Sequence, residues 1–340
     1  MAKKISCGLL VILVLAGIGA FAWWSWLQGE ISPTPKGKPF YVRFEQETPL
    51  ASVFETLKQD HVVRNPSALA LYARIKHRAG AVPTGTYQFN PGMTANQILL
   101  TLRHPVVQMV RIPETNWSAR TSRWLQAHQV TSAADYMALV HDPKQFQKDV
   151  DFPLPQDSLE GYLYPDTYDL PPLIGAKETI ERQLKAFQDK IYDPLGKPKD
   201  LTRLLTVASM VELEVMKDDE RPIVAGVIEN RLKINMPLQI DASLLYGIQK
   251  WRPLTLNDYK TIDSPYNTYT HKGLPPGPIC SPSVKSVEAA MHPATHNYLY
   301  YVAEPGTGHH LFAATYPEHL ANIQRVKQER KAVVLHPVAS

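Results

Sequence analysis

The sequence predicts an α+β protein with three parts: an N-terminal transmembrane helix, a small β–α–α–β module and a larger mixed α+β domain. Three observations support this prediction. An uncharged apolar stretch fills residues 5–27, strand-like and helix-like segments follow in the order strand, helix, helix, strand up to residue 89, and helical periodicities mix with short β-rich runs after residue 106. The 29 prolines among 340 residues favour many fixed loops over long helices.

The apolar stretch of residues 5–27 is long enough to cross a bilayer as a helix. Lys3 and Lys4 precede it, which places residues 1–4 in the cytoplasm by the positive-inside rule. A cleaved signal peptide is the alternative, but the apolar run exceeds a typical signal core and no clear Ala-x-Ala site follows it. We therefore expect an uncleaved single-pass anchor, followed by a stiff linker over residues 28–39.

The small module is expected over residues 40–105. Strands are predicted at 41–44 and 85–89, with helices at 49–58 and 66–77 between them and a further helix near 94–103. The larger domain then covers residues 106–335. It begins with a strand-like run at 106–111 and contains helical segments at 117–150 and 177–192, a short helix at 284–290, a β-rich run at 298–303 and a closing helix at 317–331.

Composition and charge exclude several classes of function. A net charge of +4 with no basic block argues against nucleic acid as a partner. No glycine-rich phosphate loop or nucleotide fingerprint is present, so we expect no cofactor. Five histidines lie between residues 292 and 319, but their spacings match no known ligand pattern, and we expect no metal. Cys7 and Cys280 fall on opposite sides of the predicted anchor boundary and cannot form a disulfide within one chain.

The centre of the larger domain is a pair of amphipathic helices between residues 204 and 233. Two glutamates, Glu212 and Glu214, end the first helix on opposite flanks of its apolar stripe, about 200° apart at 100° per residue. They therefore cannot act as a carboxylate pair on one bond, although either could border a groove. The residue pattern leaves two interpretations open: a helical hairpin edged by solvated glutamates, or a hairpin that presents one working carboxyl.

Two long motifs carry a resemblance to a known family. They are the run A-S-M-V-E-L-E at 208–214, continued by E-R at 220–221, N-R-L at 230–232 and L-Q-I-D-A-S-L-L-Y-G at 238–247, and the run Y-N-T-Y-T-H-K-G-L-P-P-G-P-I at 266–279. In sequence and order they resemble the endolytic murein transglycosylases of the YceG-like family. The segment L-E-G-Y-L-Y-P-D-T-Y at 159–168 is similar to a third family motif, and its tyrosines Tyr162, Tyr164 and Tyr168 are candidates for stacking on sugar rings. One departure is Thr115, where the family often has glycine after Glu114.

The resemblance implies an enzyme that cuts the MurNAc–GlcNAc bond of nascent peptidoglycan strands and leaves 1,6-anhydro-MurNAc ends. It implies that Glu214 is the catalytic acid and then the base. It also implies that residues 40–105 form a LysM-like module, which either holds glycan or serves only as a packing domain. By the same resemblance the candidate substrate-binding residues are Glu220, Arg231, Gln239, Asp241, Asn267 and Tyr269.

The expected location is the bacterial inner membrane, with the catalytic domain on the periplasmic side. Peptidoglycan glycan strands are the expected partner, beside peptidoglycan synthases of the penicillin-binding protein class. Two alternatives remain open at this point. One is a muramidase-type hydrolase in which Asp241 supplies a second carboxylate. The other is a non-catalytic scaffold that binds peptidoglycan through the LysM-like module.

Overall fold

The computed structural model describes residues 7–31, 38–78 and 80–335, with side chains described for residues 11–25, 38–78 and 80–329. The chain divides into two compact units. The first contains the described residues up to Gln108 together with Asp169–Ile174, and the second contains Met109–Tyr168 and the chain from Gly175 onward. Sequence patterns did not assign the short segment Asp169–Ile174 to the first unit.

Helices and small antiparallel sheets together make a mixed α+β fold, which confirms the predicted class. The described helices are α1 (Cys7–Ile31), α2 (Leu50–Gln59), α3 (Pro66–Ile75), α4 (Ala95–Thr101), α5 (Ser118–Ala127), α6 (Ala133–Val140), α7 (Ala176–Phe187), α8 (Leu201–Glu214), α9 (Arg221–Lys233), α10 (Asp241–Gly247), α11 (Asp258–Thr261), α12 (Val284–Met291) and α13 (Tyr316–Leu335). The described strands are β1 (Phe40–Phe44), β2 (Thr48–Pro49), β3 (Ala81–Val82), β4 (Gly85–Phe89), β5 (Met109–Arg111), β6 (Thr167–Asp169), β7 (Tyr300–Ala303) and β8 (His310–Ala313). They pair as β1–β4, β2–β3, β5–β6 and β7–β8.

The first helix, α1, covers most of the stretch for which the sequence predicts a membrane span at residues 5–27. Within the part of the chain that the structure describes, no helix combines the length and the apolar character required to cross a membrane. The prediction of a transmembrane helix is therefore not confirmed. Near the end of α1, Trp24 packs against Tyr72 of α3 at 5.1 Å between ring centroids, and the Lys76 ammonium lies 5.9 Å from each ring.

The rest of the first unit contains the predicted strand, helix, helix and strand as β1, α2, α3 and β4, and the structure adds the short strand pair β2–β3, which the sequence did not predict. β1 and β4 pair antiparallel with Phe40 opposite Phe89, and α2 and α3 contribute Phe54 and Leu69 to the core of this unit. Local signals fix the helix starts: the side chain of Asn65 caps α3, and a capping box formed by Thr94 and the third helical residue begins α4. The sequence patterns therefore determined most of this unit.

The second unit is organised around α8. Asp200 caps this helix by accepting from the Arg203 amide, and the helix is buried on most sides because α9, α10 and α12 all pack against it. Its buried residues join those of α9 and of the chain before α10 in one core, of which Val207, Val211, Val224, Ile228 and Leu238 are members. The 3₁₀ turn Asp218–Glu220 separates α8 from α9, which begins at Arg221. Pro222 then occupies the first turn of α9, a position that proline favours.

Candidate active site

Glu214 is the last residue of α8, and its side chain borders two adjoining clefts. The chain leaves the helix at once, because Val215 has extended backbone angles. The first cleft, about 400 Å³ and lined mainly by polar side chains, we call the polar cleft; besides Glu214 it is bordered by Arg231, Gln239, Asp241, Tyr269, Tyr301 and His319. The second, about 430 Å³, we call the hairpin cleft, because residues at the ends of β7 and β8 and in the turn between them line it together with Met216. The carboxyl of Glu214 thus lies where the two clefts meet.

The surroundings of Glu214 keep its carboxyl partly protonated near neutral pH. Burial raises its pKa to about 7, and the negative charge of Asp241 acts in the same direction. Two groups oppose this shift: the Tyr301 hydroxyl donates a hydrogen bond to Oε2 at 3.0 Å, and the charge of Arg231 also lowers the pKa. A carboxyl poised in this way can give a proton to a bound ligand and take one back.

Glu212, two residues earlier, has fixed partners. Its Oε2 lies 3.3 Å from Arg221 Nη1, and it accepts hydrogen bonds from the backbone amide and the hydroxyl of Ser283 at 3.0 and 2.6 Å. Arg221 is itself held by Asp218 and Ser286. Helix geometry alone did not distinguish Glu212 from Glu214. The tertiary contacts do, because among the described residues Glu212 is held by Arg221 and Ser283, whereas Glu214 accepts a hydrogen bond from the Tyr301 hydroxyl alone.

The pair Asn230–Arg231 on α9 places Tyr301 beside Glu214. The Asn230 amide donates to the carbonyls of His296 and Tyr298 at 2.9 and 3.1 Å, and Arg231 Nε donates to the carbonyl of Leu299 at 2.6 Å. These bonds fasten the chain that leads into β7. Arg231 also donates to the carbonyl of Leu238 at 2.6 Å, next to Gln239. Through these hydrogen bonds Arg231, which is only 7% exposed, joins the two segments that border the polar cleft.

Four of the six predicted substrate-binding residues border the polar cleft: Arg231, Gln239, Asp241 and Tyr269. The Tyr269 hydroxyl donates to Asp241 Oδ1 at 2.6 Å, and the Tyr259 hydroxyl approaches Oδ2 at 3.4 Å. The two tyrosine rings pack at 4.4 Å between centroids. Gln239 is exposed and has a left-handed backbone with φ of 53°, held by a hydrogen bond from its amide to the Thr268 carbonyl.

The other two predicted residues, Asn267 and Glu220, have side chains engaged inside the protein. Asn267 is fully buried; its amide donates to the Ile262 carbonyl at 2.9 Å and its oxygen accepts from the Tyr269 amide at 3.0 Å. Its side chain therefore shapes the loop that presents Tyr269. Glu220, 5% exposed, accepts from the backbone and Nδ1 of His310 at 2.8 and 2.7 Å. Glu220 thereby holds His310, a residue that lines the hairpin cleft, in place.

Sequence reasoning missed Tyr301, His310 and His319 as neighbours of Glu214. One signal was available for Tyr301. Adjacent residues in a strand point to opposite faces, so the side chains of Tyr300 and Tyr301 could not both face the same core. We find no comparable signal for His319, because only the packing of α13 against β7 and β8 brings it to the polar cleft. The prediction that Tyr162 stacks on sugar is wrong, because its ring is 1% exposed and packs against Phe152 and Phe187.

Comparison with known proteins agrees with this geometry. The model of the YceG-like family matches residues 42–325. A curated relative, the endolytic murein transglycosylase of Bacillus subtilis strain 168, is 30% identical over 294 residues, which are 79% of this chain and 80% of that protein. The endolytic murein transglycosylase of Streptococcus pneumoniae D39 is 28% identical over an alignment covering 94% of this chain and 65% of its own length.

A solved structure shows the same relationship. The crystal structure of a yceG-like protein from Listeria monocytogenes superposes with a TM-score of 0.54 at 28% sequence identity, covering 84% of this chain and 99% of that one. The family match covers most of the present chain, including α8, α9 and the strands beside Glu214. The chain therefore belongs to the YceG-like family.

Proposed function

We propose that this chain is a peptidoglycan lytic transglycosylase that cleaves the MurNAc–GlcNAc bond within nascent glycan strands, with Glu214 as its catalytic acid and base. One observation carries the proposal: a partly buried carboxyl with a pKa of about 7 borders two clefts and, among the described residues, meets a single hydroxyl donor. The curated relatives, which are endolytic murein transglycosylases, support the choice of substrate.

The reaction needs one carboxyl and no water. Protonated Glu214 gives its proton to the glycosidic oxygen as the bond from that oxygen to C1 of the muramyl sugar breaks. The Tyr301 hydroxyl then stabilises the carboxylate that forms, because it already donates to Oε2 at 3.0 Å. Glu214 takes the proton of the C6 hydroxyl of the same sugar, whose oxygen bonds to C1. The attacking group belongs to the substrate and is held close to C1, which offsets the absence of a second protein carboxylate.

The arrangement of the two clefts supports cleavage inside a strand. Glu214 lines both clefts, of which one is also lined by Arg231 and Asp241 and the other by Met216 and His309. A polymer bound across the carboxyl can therefore continue in both directions.

The decisive experiment incubates full-length protein with purified glycan strands and identifies the new ends by mass spectrometry. We expect anhydro ends, each one water lighter than an ordinary reducing end. Glu214→Gln should lower the rate by about a hundredfold or more, since general acid catalysis contributes on that order. Glu304→Gln, which changes another carboxyl bordering the hairpin cleft, is the matched control and should keep most of the activity. Undiminished cleavage by Glu214→Gln would refute the assignment.

One observation favours a second candidate, a muramidase-type hydrolase. Asp241 borders the same polar cleft as Glu214 and is oriented by the hydroxyls of Tyr269 and Tyr259. In a hydrolase it would serve as nucleophile or as base for water. The same mass spectra separate the two candidates, because a hydrolase leaves ordinary muramic acid ends and would lose activity in Asp241→Asn as severely as in Glu214→Gln.

We further propose that residues 5–27 anchor the enzyme in the bacterial inner membrane, with the catalytic domain periplasmic and penicillin-binding synthases nearby. The proposal rests on the apolar stretch and the lysines before it. Fractionation of cells that express the full chain, followed by protease treatment of spheroplasts, tests it. Residues beyond 40 should be degraded from outside the membrane, and recovery in the soluble fraction would contradict the proposal.

We also propose that the first unit is a LysM-like module that holds glycan. Its order of strand, helix, helix and strand supports this proposal. Binding of insoluble peptidoglycan by full-length Glu214→Gln, compared with a chain that lacks residues 40–105, provides the test. Equal retention of both proteins would limit the module to a packing role.

A further inference from the structure

His319 is a residue of the polar cleft that the proposed reaction does not yet use. It lies in the first turn of α13, and its ring stacks on Tyr300 of β7 at 5.1 Å with an interplanar angle of 20°. Two other residues of the polar cleft already have partners in the protein. Tyr301 donates a hydrogen bond to Glu214, and Arg231 donates one to the carbonyl of Leu299, just before β7. The imidazole is therefore held in place by packing, at the edge of the space that a ligand of Glu214 would fill.

The two ring nitrogens of His319 are in different situations. Among the residues that the structure describes, Nδ1 is buried without a hydrogen-bond partner, whereas Nε2 makes no hydrogen bond and is not enclosed. Burial lowers the pKa of this histidine, and the positive charge of Arg231 acts in the same direction, so the ring is neutral at neutral pH. A neutral imidazole carries one proton, and a buried N–H without an acceptor is rarer than an unused lone pair. The proton therefore belongs on Nε2.

His296 shows what a purely structural histidine looks like in the same unit. Its Nε2 lies 2.9 Å from the Ile223 carbonyl, and its Nδ1 accepts from the Tyr298 amide at 3.0 Å. Both nitrogens are used, and the residue joins two segments of the core. His319 has a fixed ring but leaves Nε2 free. Ligand-binding clefts contain a few polar groups that are free to bind the ligand, and a hydrogen-bond donor without a protein acceptor beside Glu214 fits this description.

We propose that His319 is a substrate-binding residue, whose Nε2–H donates a hydrogen bond to an oxygen of the sugar that occupies the polar cleft. This inference rests on the proposed function, because it takes the ligand to be a glycan strand lying across Glu214. The bond fixes the position of that sugar relative to the acid. A hydroxyl or ring-substituent oxygen is the matching acceptor, since a neutral donor contributes affinity for an uncharged sugar without attracting anions.

Three variants of the full-length protein test this inference. His319→Phe keeps a ring against Tyr300 but removes the donor, and His319→Gln places an amide N–H near the position of Nε2. His292→Phe changes an exposed histidine that does not border either cleft and is the matched control. The readouts are kcat and KM on glycan strands of defined length, together with the Tm of each protein.

We expect KM to rise about fivefold to tenfold in His319→Phe, in line with the loss of one hydrogen bond, while kcat changes less. His319→Gln should recover at least half of this loss on a logarithmic scale, and His292→Phe should match wild type. A merely structural role would lower Tm in both His319 variants and give no recovery by glutamine. If His319→Phe folds and binds strands as wild type does, the inference is wrong.

A second measurement separates this inference from the proposed function. Strands are added to ¹⁵N-histidine-labelled Glu214→Gln protein, which binds without turnover, and the imidazole resonances are followed. We expect the His319 Nε2 resonance to move and that of His296 to stay. Absence of cleavage by the wild-type enzyme would overturn the proposed function, whereas cleavage without any response of His319 would overturn only the inference drawn here.

Discussion

Glu212 and Glu214 lie two positions apart on α8, but their carboxyls have different partners. Glu212 lies 3.3 Å from the Arg221 guanidinium and accepts a hydrogen bond from the Ser283 hydroxyl at 2.6 Å. Glu214 meets a tyrosine hydroxyl and lies near the negative Asp241, and burial raises its pKa to about 7. The first is fastened to Arg221 and Ser283 and helps to hold α8, and the second can exchange a proton near neutral pH.

The pH dependence of kcat/KM should follow the pKa of Glu214 and therefore change when the groups that shift this pKa are removed. The acid must be protonated, so kcat/KM should fall as the pH rises through about 7. Tyr301→Phe removes a hydrogen bond that lowers the pKa, and the basic limb should move to higher pH. Asp241→Asn removes a charge that raises the pKa, and the limb should move to lower pH. The measurement is kcat/KM from about pH 5 to about pH 9, a range that brackets this pKa.

Tyr298→Phe is the matched control for these two variants. It removes a hydroxyl from the same chain segment, and that hydroxyl makes no hydrogen bond within the described residues, while its ring packs on Phe312. Its profile should coincide with that of wild type. Parallel shifts of both Tyr301→Phe and Asp241→Asn in one direction would show that a group other than Glu214 governs the limb.

A second carboxyl with a raised pKa, that of Glu160, should govern stability and not catalysis. Burial raises its pKa from 4.5 to about 7, against hydrogen bonds from the Ser118 amide at 3.0 and 3.2 Å. Because the folded pKa is above the unfolded one, its stabilising effect is complete below pH 4.5 and is lost as the pH rises through about 7. Glu160→Gln should therefore gain stability relative to wild type on going from about pH 4 to about pH 8, by about 3 kcal/mol.

Denaturant unfolding of wild type and Glu160→Gln at about pH 4, pH 6 and pH 8 measures this difference. Glu214→Gln must be run beside it, because Glu214 also has a raised pKa and contributes in the same direction. A constant difference between Glu160→Gln and wild type across this range would show that the folded protein does not shift the titration of Glu160.

At the scale of elements, one glycine joins two of the sequence motifs. Gly161 has φ of 89°, and a Cβ at this position would lie 2.5 and 2.6 Å from the ring atoms of Pro278. The E-G-Y-L-Y segment and the proline-rich G-L-P-P-G-P-I loop therefore pack directly on each other. The next residue of that loop, Ile279, donates its amide to Ser209 on α8 at 3.0 Å, so the contact is continuous with the helix that carries Glu214.

Gly161→Ala should destabilise the protein by more than backbone strain alone. Gly175→Ala is a matched control, because Gly175 has the same φ of 89° but no atom within 4 Å of the position that a Cβ would take. We expect the control to cost about 1 kcal/mol and Gly161→Ala about 2 kcal/mol more, since Pro278 belongs to a stiff loop and cannot move cheaply. Chemical denaturation measures both, and equal losses would mean that the loop relaxes freely.

The borders of elements show why local signals were sufficient in some places and insufficient in others. Asn65 and Thr94 cap α3 and α4, which begin at Pro66 and Ala95, within a residue of their predicted starts. The apolar periodicity placed the start of α8 at Leu204, whereas the helix begins at Leu201 and Asp200 supplies its cap. The difference arises because the polar first turn of this helix does not contribute to the apolar stripe.

At the scale of the whole molecule, the first helix packs against the rest of the first unit through Trp24. A chain that begins at residue 29 loses the contacts of this ring with Tyr72 and Lys76. We expect it to fold and to keep its turnover of glycan strands, with a stability loss of about 1 kcal/mol, since an aromatic pair and one cation–π contact are worth that order. Circular dichroism, thermal unfolding and the strand assay check this. Loss of the folded state would show that α1 is an integral part of the first unit.

The sequence by itself determined the fold class, the order of elements in the first unit, and the family, because helical and strand periodicities and two long motifs are local properties of the chain. It brought attention to Glu214 and to four residues that border its cleft. The tertiary structure alone decided that Glu212 is held by Arg221, that Asn267 and Glu220 are engaged internally, and that Tyr301 and His319 stand beside the acid. Most of these contacts join residues far apart in the sequence, such as Glu214 and Tyr301, and a pKa depends on which groups meet across such distances.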